Sequence, residues 1–294
     1  MTAPNPTSVA LATERKPLDD EIDVFGLTHP GNVRKDNQDQ FLICSLHKQI
    51  RLHGTSLPDP RQLVEDERLA FVAMVADGVG ARAAGREASR SALEAVTRYV
   101  TQTMRCYYNG DPTREDEFLR ALRAAALASH EAVLAQAQEH PEWAGMATTL
   151  TLVLGVWPRV YVLQVGDSRF YQLRHGALRQ VTRDQTMAQE LVDLGALRPD
   201  EASTSPMSHV LSSAIGGKQT APAVTQIDVQ WGDVALLCSD GLTRHVSDDE
   251  IRARLLALES SEQACRALLA DALARGGTDN ITIVVGRPRP LPGT

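Results

Sequence analysis

Apolar residues in this chain fall into short runs divided by polar turns, apart from two long stretches where they recur every three or four positions. The most apolar run is Leu69-Ala70-Phe71-Val72-Ala73-Met74-Val75-Ala76. A run of that length and purity predicts a strand covered on both faces. It delivers Asp77 onto Gly78, so a carboxylate leaves a dry interior where the chain bends. An unpaired carboxylate there is costly or takes up a proton. Read alone, Asp77-Gly78 predicts only a hairpin turn.

Weaker runs predict strands over 22–28, 40–44, 149–156, 160–165, 170–173, 178–181, 224–229, 234–238 and 281–285. The loop Arg174-His175-Gly176-Ala177 offers a glycine for a positive φ, so 170–181 reads as a hairpin. Connections this short cannot be helical crossovers, and the sheet is expected to be antiparallel. Ala88, Ala92, Val96 and Val100 repeat every four residues and predict a helix over 84–104. A second helix over 115–138 carries Phe118, Leu122, Ala126, Val133 and Ala137, with acidic residues in its first turn as the helix dipole favours. Ser247-Asp248-Asp249-Glu250 has the capping-box pattern that opens a helix to 258. Another helix spans 262–275, stopped by Gly276-Gly277. Residues 45–68 read as an exposed connection. Residues 184–219, with a short helix at 188–194, read as a compact excursion from the sheet. Helices bunched around runs of antiparallel strands indicate a layered α+β fold.

At 294 residues the chain suits one large domain or two small ones. Its net charge of −7 argues against nucleic acid and against an anionic membrane surface. Cys44, Cys106, Cys238 and Cys265 form no C-x-x-C pair, which disfavours zinc and a disulfide framework and suits a cytoplasmic protein. No apolar run approaches bilayer length, so no membrane insertion is expected. Residues 1–20 lack the apolar segment of a signal peptide and read as a flexible tail.

The chemistry sits where strands meet aspartates. Asp77, Asp167, Asp240 and Asp279 each stand beside a small residue at the end or start of an apolar run, and Asp39 precedes the second strand. Each alone fits a turn. Five in one domain fit a converging set, and converging carboxylates repel unless cations lie among them. Oxygen ligands select hard cations, so Mg²⁺ or Mn²⁺ is expected, and the histidines form no zinc-type pair. Two such ions would acidify a bridging water and hold a phosphoryl oxygen in line with it, the apparatus for cleaving a phosphate monoester. Arg34, five residues before Asp39, is placed for a bidentate phosphate contact.

In these residues the sequence resembles the metal-dependent protein serine/threonine phosphatases, the PPM or type 2C family, in its bacterial form. The resemblance runs from about Asp23 to Gly286. It is carried in order by Arg34-Lys35-Asp36-Asn37-Gln38-Asp39, Val75-Ala76-Asp77-Gly78-Val79-Gly80, Gly85-Arg86-Glu87-Ala88-Ser89, Ala147-Thr148-Thr149-Leu150, Val165-Gly166-Asp167-Ser168-Arg169, Leu178-Arg179-Gln180-Val181-Thr182-Arg183-Asp184, Ser239-Asp240-Gly241-Leu242 and Thr278-Asp279-Asn280-Ile281-Thr282. It implies a four-layer α-β-β-α sandwich forming a single domain over 21–288, with a flap over 184–219 and a short C-terminal tail, 289–294. It further implies a binuclear Mg²⁺/Mn²⁺ centre whose activated water hydrolyses phosphoserine and phosphothreonine on proteins, reversing a Ser/Thr kinase. By resemblance, Asp77 bridges two metals, the Gly78 carbonyl is a ligand, and Asp240, Asp279 and Asp39 complete the cage. Asp167, helped by Asp240, matches the site of a third, weaker metal, and Arg34 matches the phosphate-binding arginine.

Two positions depart from the family pattern. Arg82 stands where a histidine is the proposed general acid, and an arginine keeps its proton at any working pH. His245 is a candidate to replace it. Gln38 stands where glutamate is common, which removes a charge beside the metals. These departures leave an alternative reading, a catalytically impaired module of the same fold that binds a phosphoprotein or kinase.

Overall fold

The computed structural model describes residues 15–48, 67–80, 83–102 and 115–290. The apolar run becomes β3 (Glu67–Ala76), with an antiparallel neighbour on each side, β2 (Gln40–Lys48) and β6 (Leu150–Val156). Pairing on both edges and packing on both faces are what its unbroken apolarity required. β7 (Arg159–Val165) and β10 (Ala223–Asp228) complete a five-stranded sheet in the order β10-β7-β6-β3-β2. The second sheet runs β1 (Ile22–His29), β12 (Ile281–Pro288), β11 (Val234–Cys238), β8 (Arg169–Arg174) and β9 (Ala177–Gln180). The pairings within both sheets are antiparallel.

α1 (Ala84–Gln102) and α2 (Glu115–Glu139) cover the first sheet. Ala88, Ala92 and Val96 of α1 share one buried cluster with Leu122 and Ala126 of α2 and with Met74 and Leu152 of the sheet. The small side chains let the two helices approach closely enough for the Ser129 hydroxyl to donate to the Ala92 carbonyl at 3.2 Å. Helices Asp248–Leu256 and Ser261–Ala274 cover the second sheet, packing Ile251, Leu255 and Leu268 against Leu236 and Ile283. Fully burying each such aliphatic side chain contributes about 1.5–3 kcal/mol. A third cluster, including Val75, Val162, Phe170, Leu237 and Val284, lies between the sheets. The layers are therefore α-β-β-α.

Local chemistry explains several boundaries. The β8–β9 hairpin turns on His175 and Gly176, both at positive φ (49° and 79°), the pairing that a twist-compatible two-residue turn needs. The Ser247 amide donates to the Glu250 carboxylate at 3.0 Å, as the capping pattern predicted. The excursion holds α3 (Met187–Asp193), capped by Thr186, whose hydroxyl accepts from the Gln189 amide.

Two expectations are corrected, and the plainer alternative at one dipeptide falls. Asp77-Gly78 is not a hairpin turn: the chain continues through β4 (Gly78–Val79), which pairs with β5 (Ala147–Thr148). β2 extends to Lys48, four residues beyond the expected end, because β3 begins early enough to pair with it. Residues 15–20, read as part of a loose tail, are tied down. Arg15 pairs with the buried Glu21, and the Trp231 indole donates to the Arg15 carbonyl at 2.9 Å. Arg82, Cys106 and most of the 45–68 connection lie outside the described residues.

Cys238 and Cys265 are fully buried, and burial pushes both thiols up to about 12. The thiolate is the reactive form, so neither should react in the native protein at pH 8. Iodoacetamide labelling mapped by mass spectrometry is expected to modify them only after denaturant is added.

Candidate active site

The five aspartates come from both sheets and meet at one end of the sandwich. Asp39 precedes β2 and Asp77 follows β3; Gln40 pairs with Ala76, so the two lie at the same edge. Asp167 follows β7, past a turn in which Gly166 has φ 103°. Asp240 opens α4 (Asp240–Thr243) just after β11, and Asp279 precedes β12, which pairs with β11. A cleft of about 510 Å³ is lined by Asp77, Gly78, Asp167, Asp240 and Asp279, with Arg34 on its wall. Asp39 sits one layer beneath, 1 % exposed.

Hydroxyl and backbone contacts fix the segments that carry these carboxylates. One Asp39 oxygen accepts from the Ser239 hydroxyl (2.7 Å) and the Thr282 hydroxyl (2.8 Å), both from the opposite sheet. Asp77 is fixed by its backbone: its amide donates to the Thr149 hydroxyl at 2.9 Å, and its carbonyl accepts from the Thr149 amide and the Thr148 hydroxyl. The Asn280 side chain receives the Gln38 amide at 2.9 Å and donates to the Pro30 and Asp36 carbonyls, which pins the loop carrying Arg34 to the start of β12. Glycine is required twice. A Cβ on Gly78 would fall 2.2 Å from the Gly85 carbonyl oxygen, and one on Gly241 would fall 1.9 Å from that of Asn280.

The electrostatics are those of crowded like charges. Burial, followed by Asp39, Asp240, Asp167 and Asp279, raises the Asp77 carboxyl well above its usual range. Burial and Asp240 do the same to Asp167. Burial raises Asp39 against the hydrogen bonds from Ser239 and Thr282. One oxygen of Asp39 and one of Asp240 are buried without a hydrogen-bond partner. A buried acceptor left so incurs its full desolvation penalty.

Arginines answer part of this charge. Arg34, whose side chain is 56 % exposed, donates to Asp279 at 2.9 Å. Arg244 donates to the same Asp279 oxygen at 3.0 Å and also to Asp240, so it stands between two of the carboxylates. Among the described residues no three His, Cys, Asp or Glu side chains form a ready-made cation cage. Arg244 was not singled out from sequence, although its i,i+4 spacing from Asp240 was the available signal. His209 and Leu211, from the excursion, also line the cleft and carried no periodic signal. His245 is not among the lining residues, and its Nε2 accepts from the Thr278 amide at 2.9 Å. It positions the Thr278-Asp279 turn, which corrects its reading as a candidate proton donor. Arg169 and Asp184 form a multiply bonded pair (2.7 Å at the closest) that fixes the start of the excursion to β8.

Fold and cleft together define an α-β-β-α sandwich with a carboxylate-lined cleft at its strand ends. The chain belongs to the protein phosphatase 2C family, whose model matches residues 51–275. It is 39% identical over 211 residues to the serine/threonine protein phosphatase PstP of Mycobacterium tuberculosis, an alignment covering 72% of this chain and 39% of that protein. The chain thus spans about two fifths of that relative's length. The solved structure of the M. tuberculosis phosphatase PstP/Ppp superposes with a TM-score of 0.72 at 31% identity, covering 92% of this chain and 99% of that one. A structure of the PstP catalytic domain in complex with two manganese ions superposes at 0.70 and 31% identity, with the same coverage.

Proposed function

We propose that this protein hydrolyses phosphoserine and phosphothreonine in other proteins with the help of Mg²⁺ or Mn²⁺, opposing a Ser/Thr kinase. The observation that carries this reading is the pair of buried, unpartnered oxygens on Asp39 and Asp240 within a set of five aspartates. Such oxygens fit hard divalent cations, because a cation satisfies an orphaned lone pair and cancels carboxylate repulsion together. Asp39, Asp77, the Gly78 carbonyl, Asp240 and Asp279 would hold two ions, and Asp167 with Asp240 a third. When bound, these ions supply the Lewis acidity that phosphate-ester hydrolysis needs at neutral pH.

The remaining work falls to this chain's own side chains. Arg34 is exposed enough to swing from Asp279 and grip two phosphate oxygens in its planar fork. Arg244 is the second cation of the cleft, and release from Asp240 and Asp279 would turn its guanidinium toward the same anion. The buried Ser239 and Thr282 hydroxyls orient Asp39 and favour its ionised form against the opposing effect of burial. The impaired-module reading is disfavoured by the presence of Asp39, Asp77, Asp240 and Asp279 together. Among the described residues no helix is long and apolar enough to cross a membrane.

Purified protein is expected to hydrolyse p-nitrophenyl phosphate and a phosphothreonine peptide when Mn²⁺ is added, and to lose that activity on chelation with EDTA. Activity undiminished by EDTA would overturn the proposal.

A further inference from the structure

The three apolar layers of the fold are not equally sealed. The clusters under the helices consist mainly of residues that water does not reach. Between the sheets, Val24, Val153 and Ala235 are only partly buried although they face the interior. They line a cavity of about 160 Å³ whose wall is almost entirely apolar. Protein interiors are close-packed, and a dry apolar cavity of about 150 Å³ is large enough to bind a small hydrocarbon.

The gap follows from the choice of residues. Ala73, Gly155, Ala235 and Gly286 occupy lining positions where larger side chains would close it. Backbone crowding does not explain the glycines: a Cβ on Gly155 or Gly286 would meet its nearest neighbours at 3.7 and 3.4 Å, ordinary contact distances.

The mouth has its own chemistry. Arg68, Arg159 and Arg287 line the cavity, each paired with a carboxylate (Asp19, Glu115 and Asp23 respectively), and the buried Asp233, also in the lining, is paired with Arg174. Lys16 lines the same mouth, but its ammonium donates to the Arg68 carbonyl and forms no ion pair among the described residues. Burial and the nearby Arg68 lower its pKa against the weaker pull of Glu67 and Asp19, a penalty that a closer anion would relieve further. The site is distinct from the cleft. Arg68 lies near the start of β3 and Asp77 just past its end, roughly 30 Å apart at strand rise.

We propose that the space between the sheets is a binding site for a fatty carboxylate of medium chain length, its alkyl chain against Ala235 and Gly286 and its head group on Lys16. An alkyl chain fills the unsealed layer, and a carboxylate supplies the ion-pair partner that Lys16 does not have among the described residues. The site does not depend on the catalytic reading.

The test is titration of hexanoate, below its micellar concentration, into the 294-residue protein. Heat is read together with the fluorescence of Trp157, which lines the cavity. Saturable one-to-one binding is expected. Ala235→Phe, which fills the gap, should weaken it by about tenfold or more while leaving the circular dichroism unchanged. If that variant does not fold, Gly286→Val is read in its place. Lys16→Gln should weaken hexanoate by about tenfold, the usual size of a lost charge-assisted hydrogen bond, and leave hexanol unaffected. Absence of saturable binding, or equal binding by wild type and both filling variants, would overturn the site. Hexanol binding as tightly as hexanoate, or an equal effect of Lys16→Gln on both, would overturn the carboxylate assignment.

Discussion

Replacing Asp77 with asparagine should reduce metal-dependent phosphatase activity by more than about a hundredfold, since losing even an outer partner of a metal ligand costs 10–100-fold. The substitution keeps the size and the backbone contacts: the Asp77 amide and carbonyl bonds to Thr148 and Thr149 do not involve its side chain. The fold should therefore survive. In the metal-free protein at neutral pH the melting temperature should hold or rise. The sign follows from the raised Asp77 pKa, which burial and then the neighbouring aspartates produce. A carboxyl whose folded pKa exceeds its unfolded value destabilises the fold once pH passes the unfolded value, and a neutral isostere removes that penalty. Added Mn²⁺ should stabilise the wild type more than the variant, because only what binds the native state shifts its stability. Calorimetry with and without Mn²⁺, beside an aryl-phosphate assay, checks all three points. Substantial activity in this variant would count heavily against the proposed centre.

Gly241→Ala should damage stability and activity together. The added Cβ would meet the Asn280 carbonyl oxygen at 1.9 Å, a backbone atom that cannot rotate aside. Either α4 or the segment leading into β12 must shift, and these carry Asp240 and Asp279. Overpacking of this kind costs about 1–3 kcal/mol. For a domain of this size each kcal/mol lowers the melting temperature by about 2–4 °C. Gly155→Ala is the control: its Cβ has 3.7 Å of clearance, and it should change stability little. Urea midpoints for the two variants give the comparison.

The strands and helices were legible because their apolar spacing survives in the fold: the Ala88-Ala92-Val96-Val100 stripe is buried along its whole length. The aspartates were legible as strand-end carboxylates, and the family resemblance assigned them roles that their convergence on one cleft supports. Other features depend on distances that no local pattern encodes. Arg244 needed the turn after Asp240 to be helical, and the apolar run gave no sign of it. His209 and Leu211 reach the cleft through an excursion without periodicity. The space between the sheets arises from small residues on four strands spread over about two hundred positions of the sequence. The plain hairpin alternative at Asp77-Gly78 falls because the glycine serves close approach to Gly85 rather than reversal.

The place of β12 has a consequence for biosynthesis. It lies between β1 and β11, yet it is the last strand of the fold to leave the ribosome. Until it emerges, β1 and β11 expose unpaired edges that invite aggregation. Asp279 and the Asn280 staple are also still missing. A nascent chain therefore lacks part of the cleft wall, and the late pairing of β12 completes the sheet and the cleft together.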